Sequence, residues 1–341
     1  MPKRVVCFGE ILLRLSAPGR ETLLQSPSLQ VHVGGAEANV AVSLARFGHP
    51  VAMASTLPDN ALGNAALAEL RKHGVATNFL ALAAGRMGSY FYTAGAGHRP
   101  SEVLYDRADS AFERAGAEAY DWPALLADAS MLHLSGITPA LCQTTGDAAL
   151  VAARAARAAG VLVSFDGNYR AKLWACWDGN PQACLHALLA EADIAFADHR
   201  DIALVLGGLS GIEEARPRQR FEVATQAAFA AFPNLQRIAT TVRVQDSTDH
   251  HRLGAMLASR DGSLHVLEEI ALGGIVDRIG TGDAFAAGVL HGILEGMDDA
   301  DSLAFGRAAG CLKHYVPGDF NLVSIADVMA LVNGDGLDVR R

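Results

Sequence analysis

The stretch Ile275-Val276-Asp277-Arg278-Ile279-Gly280-Thr281-Gly282-Asp283-Ala284-Phe285-Ala286-Ala287-Gly288 decides how this chain is read. A short polar loop gives way to Ala, Phe, Val, Leu and Ile recurring at helical spacing to about Leu294, so residues 280–283 are expected at a helix N-terminus. The first amides of a helix have no intrahelical partner and carry the positive pole of its dipole. Glycines there let an anion approach the backbone closely. An aspartate in that first turn serves as a cap or dipole partner. Beside amides that hold a phosphoryl group, it is also placed to take a proton from a hydroxyl attacking phosphorus. Asp277 adds a second carboxylate near the same loop.

The common nucleotide motifs do not fit. The chain has no Gly-x-x-x-x-Gly-Lys-Ser/Thr, and Gly95-Ala96-Gly97-His98-Arg99-Pro100 lacks the third glycine of a dinucleotide fingerprint. His199-Arg200-Asp201 imitates a protein-kinase catalytic loop, but the required Asn is not at its spacing and Asp-Phe-Gly does not occur. At 341 residues, 50% hydrophobic and 19% charged, the chain is long enough for one large domain or a large domain with a small appendage. A net charge of −9 with 6% aromatics argues against nucleic acid and against a polybasic membrane patch as partners. The five cysteines, Cys7, Cys142, Cys176, Cys184 and Cys311, form no Cys-x-x-Cys pair and suit reduced thiols. Met1-Pro2-Lys3-Arg4 begins like a secretory leader, yet Gly9 and Glu10 interrupt the apolar run and no run reaches membrane-spanning length. A cytoplasmic location is the expectation.

Working outward, residues 4–8 read as a buried strand whose end delivers Gly9 and Glu10 to a cleft. Residues 11–33 alternate loosely between Pro and Gly breakers and are expected as exposed strands and turns outside the core. Gly34 and Gly35 open an Ala-rich helix closed by Gly48, a second helix N-terminus, with Asn39 as a polar interruption of its apolar face. Strands are expected over 51–56, 131–134, 161–165, 194–197 and 238–242, with a turn over 59–63 and helices over 65–73 and 145–159. Residues 85–111 break this alternation as a hairpin carrying Tyr90, Tyr92, Tyr105 and Arg107 on one face. Together with Arg86 and Arg99 it suggests a surface that receives an oxygen-rich anion. The tips Ser135-Gly136-Ile137, Asp166-Gly167-Asn168-Tyr169-Arg170 and Asp198-His199-Arg200-Asp201 follow strands, and ligands bind at such carboxyl ends. Arg170 is the expected anion contact. Arg216, Arg218 and Arg220 read as a solvated loop, and residues 334–341 as a tail. His250-His251 point apart as neighbours and give no metal-ligand spacing. The segment Pro317-Gly318-Asp319 is expected to fold back on the site.

In this order the pieces resemble the ribokinase or PfkB family of sugar kinases over nearly the whole chain. The resemblance rests on Gly34-Gly35 through Asn39 to Gly63, and on the run from Asp277 to Asp283. It implies an α/β, ribokinase-like fold: a three-layer αβα domain with a mostly parallel central sheet, spanning residues 1–341, plus a small β-sheet lid from about 10–36 and 86–111. Arg86-x-Gly88-x-Tyr90, Tyr105-Asp106-Arg107-x-x-Ser110-Ala111 and Asp166-x-Asn168-Tyr169-Arg170 look like the 2-keto-3-deoxygluconate kinases of that family.

The resemblance places Gly34, Gly35, Asn39, Tyr90, Tyr105, Arg107, Ile137, Arg170 and Asp319 around a sugar acid. It puts Asp198, Arg200, Thr241, Arg243, Gly280 and Gly282 around ATP. Asp283 becomes the general base, the amides of Gly280, Thr281 and Gly282 the anion hole, and 2-keto-3-deoxy-6-phosphogluconate the product. Mg²⁺ accompanies ATP without an assigned protein ligand, and parts of the family hold a monovalent cation beside the loop. Many relatives carry Asn-x-x-Glu where this chain has Asp198-His199-Arg200-Asp201, and Ala where it has Thr281. Fructokinase, ribokinase and 2-keto-3-deoxygalactonate kinase are the alternatives within the family, and a non-catalytic sugar-acid-binding module the alternative outside it. Exposed lid edges suggest a homo-oligomer, a dimer or larger.

Overall fold

The structure, a computed structural model, describes residues 3–210 and 215–334. Short apolar runs form strands and the Ala- and Leu-rich segments between them form helices. In chain order these are β1 (Arg4–Phe8), β2 (Leu12–Ser16), β3 (Gln30–Gly34), α1 (Ala36–Arg46), β4 (Val51–Pro58), α2 (Ala61–Lys72), β5 (Leu80–Ala83), β6 (Gly88–Thr93), β7 (Glu102–Asp106), α3 (Trp122–Leu126), β8 (Ala129–Ser135), α4 (Gln143–Ala158), β9 (Leu162–Asp166), α5 (Ala171–Trp174), α6 (Pro181–Glu191), β10 (Ile194–Phe196), α7 (His199–Leu206) and α8 (Pro217–Ala231). There follow β11 (Arg237–Gln245), β12 (His250–Ser259), β13 (Leu264–Gly273), α9 (Thr281–Leu294), α10 (Asp299–Lys313) and α11 (Ile325–Asn333).

A large sheet runs β13-β12-β11-β10-β9-β8-β1-β4-β5. It is parallel from β11 to β5, and β12 and β13 add an antiparallel edge. Its central strands are apolar on both faces because both are covered. Val6 and Phe8 of β1 join the core under α3, α4, α6, α7 and α8, while Val5 and Cys7 join the core under α1, α2, α9, α10 and α11. This is a ribokinase-like, three-layer arrangement of helices, mostly parallel sheet and helices. A second sheet, β3-β2-β6-β7, stands apart, with β2 and β6 parallel and the outer pairs antiparallel.

Three expectations are corrected. Residues 12–16 are not an exposed strand: Leu12, Arg14 and Ser16 are buried, because β2 is an inner strand of the second sheet. Residues 217–220 open α8 with Pro217 in its first turn, a position where the missing proline N–H costs nothing. The turn expected over 59–63 is already helix from Ala61, capped by the Asn60 side chain on the amides of Leu62 and Gly63. Of the expected tail, Gly334 closes α11 in the left-handed conformation and residues 335–341 lie outside the described residues, as do Met1 and Pro2. All five cysteines are free thiols, and no helix among the described residues is long and apolar enough to cross a membrane.

Candidate active site

The carboxyl ends of the parallel strands and the inner face of the second sheet enclose a crevice of about 970 Å³. Every residue that the family resemblance places around the sugar acid or ATP lines it except Gly34. Gly34 lies just behind the wall, where an added Cβ would strike the Asp319 carboxylate.

One wall is the start of α9. Gly280 is its N-cap in the left-handed conformation, φ 77°, and a Cβ there would collide with the Asp319 carbonyl. Only glycine meets both conditions. Thr281 donates from Oγ1 to the Arg278 carbonyl at 3.0 Å and accepts from Arg243 at 3.1 Å. Gly282 is exposed, with open space beside it. Asp283 is half-buried and its Oδ2 accepts from Asn39 Nδ2 at 2.6 Å. Burial raises its pKa to about 6, opposed by the Asn39 hydrogen bond and by Arg170.

Asn39 is delivered by α1. The α1 start is pinned by Glu37, which accepts from the Ser135 amide at 3.0 Å, from Ser135 Oγ at 2.6 Å and from Thr138 Oγ1 at 3.1 Å. That ties α1 to the β8 tip carrying Ile137. Burial pushes the Glu37 carboxyl up to about 7.

The second sheet closes the other side. Tyr90 pairs across strands with Tyr105, and its hydroxyl donates to Asp319 Oδ2 at 2.6 Å. Arg107 is 7% exposed, and its Nε donates to Glu10 Oε2 at 2.6 Å. Ser110 donates to the other Glu10 oxygen. The expected three-arginine surface reduces to Arg107. Arg86 is spent on Asp106 and Arg99 on the backbone carbonyls of Arg20 and Ala94. Tyr92 also leaves the site, stacking under the Arg14 guanidinium at 4.3 Å. One residue missed from sequence is Arg14. It donates to Asp277 at 2.7 Å and to Asp319 at 3.2 Å, locking the second sheet to the loop that leads into α9. Pro317-Gly318-Asp319 does fold back, as expected, and Gly318 N donates to Asp277.

Toward β10 and β11, Asp198 and Asp201 form a capping box at the start of α7, and Asp198 pairs with Arg200. The Asp-x-x-Asp spacing was a readable signal for that cap. Thr241 and Arg243 line the crevice from β11, opposite Arg278, a second residue missed from sequence. Among the described residues neither Arg243 nor Arg278 has a carboxylate partner; they meet Thr281 and Gln245 instead. Arg170, exposed at the crevice, donates to its neighbour's carbonyl and has no other hydrogen-bond acceptor among the described residues. Asp166 and Asp201 share this corner. Burial raises both carboxyls, Asp201 to about 6, with Asp283 adding to the shift at Asp166 and Asp198 to that at Asp201. Carboxylates gathered at one corner offer the oxygen ligands that a hard divalent cation takes. Far from here, at the C-terminal end of α9, His49, His291 and Glu295 also approach one another, and the two rings are joined at 2.8 Å.

The crevice thus brings a helix N-terminus, whose first amides have no intrahelical partner, beside the carboxylate of Asp283. The model of the pfkB family carbohydrate kinases matches residues 2–321. The chain is 34% identical to a 2-dehydro-3-deoxygalactonokinase of Haloferax volcanii over 100% of both chains, and 27% identical to a 2-dehydro-3-deoxygluconokinase of Bacillus subtilis over 93% of this chain and 91% of that one. The crystal structure of the 2-dehydro-3-deoxygluconokinase of Thermotoga maritima superposes with a TM-score of 0.91 at 38% identity, covering 97% of this chain and 100% of that one. The chain belongs to the pfkB family of carbohydrate kinases, enzymes that transfer a phosphoryl group to a sugar hydroxyl.

Proposed function

We propose that the protein uses ATP to phosphorylate the primary hydroxyl of 2-keto-3-deoxygluconate, giving 2-keto-3-deoxy-6-phosphogluconate. The observation that carries this reading is the pairing of Arg107 with the buried Glu10. It fixes Nε and leaves the terminal nitrogens of the guanidinium for a ligand, in a crevice that also holds Tyr90, Tyr105 and Arg170. A carboxylate and a 2-keto oxygen ask for such donors, whereas a neutral hexose does not.

In this reading Asp283 accepts the proton of the primary hydroxyl while that oxygen forms its bond to the γ-phosphorus and the bond to the bridging oxygen of ADP breaks. The amides of Gly280, Thr281 and Gly282 receive the charge of the transferred group. Arg243 and Arg278, without carboxylate partners, flank the phosphates, with Thr241, Asp198 and Arg200 lining the nucleotide side. Asp166 and Asp201 are the carboxylates that would face a magnesium ion, which neutralises phosphate charge when bound. The second sheet acts as a lid that keeps water from competing for the phosphoryl group. Its other side exposes Val31 and Leu104, which supports pairing between copies into a dimer or larger assembly, a point that light scattering tests.

A coupled ATP-consumption assay offering 2-keto-3-deoxygluconate beside fructose, ribose and gluconate tests the substrate. Turnover confined to the keto-deoxy acid supports the reading, and preference for a neutral sugar overturns it. The 34% identity to the Haloferax galactonate-series enzyme favours a second substrate, the epimeric 2-keto-3-deoxygalactonate, which belongs in the same assay.

A further inference from the structure

Lys313 is 0% exposed, although lysine is rarely buried without a reason. It ends α10 and turns inward beneath the anion-hole loop, where its Nζ donates to the Val316 carbonyl at 2.9 Å and the Gly318 carbonyl at 2.8 Å. A Cβ built on Gly280 would lie 3.4 Å from its Cε. The turn that it holds is stitched to the loop by three further bonds. The Val276 and Asp277 amides donate to the His314 carbonyl, and Gly318 N donates to Asp277 Oδ2. Asp277 Oδ1 in turn accepts from the Ile279 amide at 3.0 Å.

Charge accounting explains the lysine. Asp277 and Asp319 are both buried, and Arg14 bonds to both but carries one positive charge. A second positive charge makes the group neutral. Burial lowers the Lys313 pKa, while Asp277, Asp319 and Asp283 oppose that shift. Two converging carbonyls and nearby carboxylates are also the surroundings in which a bare monovalent cation would sit.

We propose that the Lys313 ammonium is the built-in cation of the anion-hole loop. It fixes the 316–318 turn against Gly280 and supplies positive charge behind the transferred phosphoryl group, so that catalysis needs no added monovalent cation. This rests on residues 280–283 being the anion hole. Lys313 is a positioning residue, one shell away from the reacting atoms.

The test begins with the unaltered enzyme. Its kcat should be the same in sodium, potassium, ammonium or tetramethylammonium chloride at constant ionic strength, and activation by potassium or ammonium would overturn the proposal. Lys313→Met keeps most of the stem without the charge and should lower kcat by about tenfold or more. Calorimetric sugar binding should be retained, which also verifies folding. Lys313→Ala should regain activity with ammonium or methylammonium but not with tetramethylammonium. A folded Lys313→Met with full kcat, or a folded Lys313→Ala indifferent to every small cation, would overturn it. Full activity in Asp283→Asn would sink the reading of the loop itself, and a different preferred sugar would sink only the substrate, since the cation series runs equally well on whichever sugar is accepted.

Discussion

At the proposed phosphoryl end of the crevice, the amides and the proposed base lie in the four consecutive residues Gly280, Thr281, Gly282 and Asp283. At the sugar end, Glu10 reaches Arg107 across 97 positions, Tyr90 reaches Asp319 across 229 and Arg14 reaches Asp277 across 263. The first end is a helix terminus, whose dipole and free amides come with the backbone once the helix forms. The second is a set of buried charges that stand only if each meets its partner in the finished fold. In this reading transfer chemistry is carried by one local motif, while choice of sugar is distributed over segments far apart in the sequence. This is why one fold serves many acceptors.

The comparison breaks most sharply with Asp283→Asn, which disables the phosphoryl end alone. It should lower kcat by roughly 10²–10⁴-fold with sugar affinity by calorimetry nearly unchanged. Stability at neutral pH should rise and not fall. A carboxyl whose folded pKa is raised loses stability as pH climbs through the unfolded and then the folded value, and the amide removes that loss. Equal turnover in this variant would sink the mechanism.

Arg14→Met attacks the long-range end. Its side chain and that of Asp277 are 6% and 4% exposed, so the change strands two buried carboxylates and should cost about 3–5 kcal/mol in urea unfolding. A cost below about 1 kcal/mol, the level of a surface pair, would mean that the network is solvated. Arg170→Ala, at an exposed site, should leave folding alone and raise KM for the keto-deoxy acid by about tenfold to a hundredfold through loss of a charge-assisted hydrogen bond. Any activity on fructose should not change, and an equal rise there would remove Arg170 from carboxylate recognition.

The smallest effect is the acid limb of the pH profile. Asp283 must be ionised to act and its pKa is raised to about 6, so kcat/KM should be nearly flat at neutral pH and fall about tenfold per unit well below that value. The residual activity of Asp283→Asn should lack its part of this limb. An acid limb near the ordinary carboxylate range in the unaltered enzyme would show that burial does not tune the base.

Much of the site could be read directly because its parts announce themselves locally. Gly280 and Gly282 before an apolar period, Gly34 and Gly35 before an Ala-rich one, and the tip Asp166-Gly167-Asn168-Tyr169-Arg170 after a strand each carry their meaning within a few residues. Arg14 and Lys313 do not. The first sits in a loosely alternating stretch that passes for exposed strand, and the second occupies the last turn of a helix, where a lysine is usually a solvated dipole partner. Arg86 and Arg99 show the converse error, being close in sequence to Arg107 yet drawn to Asp106 and to backbone carbonyls.

What the sequence determined alone was the alternation of strand and helix, the helix terminus at residues 280–283 and the aspartate in its first turn, since backbone amides, glycine conformation and helical period are local properties. What the tertiary structure decided was which charges were to be spent inside the protein and which left for a ligand. Arg107 and Arg14 are chemically alike in the chain, but burial against Glu10 aims one into the crevice and burial between Asp277 and Asp319 consumes the other. The free energy of a buried charge depends on every partner that the whole fold brings within reach, and no short window of sequence contains them.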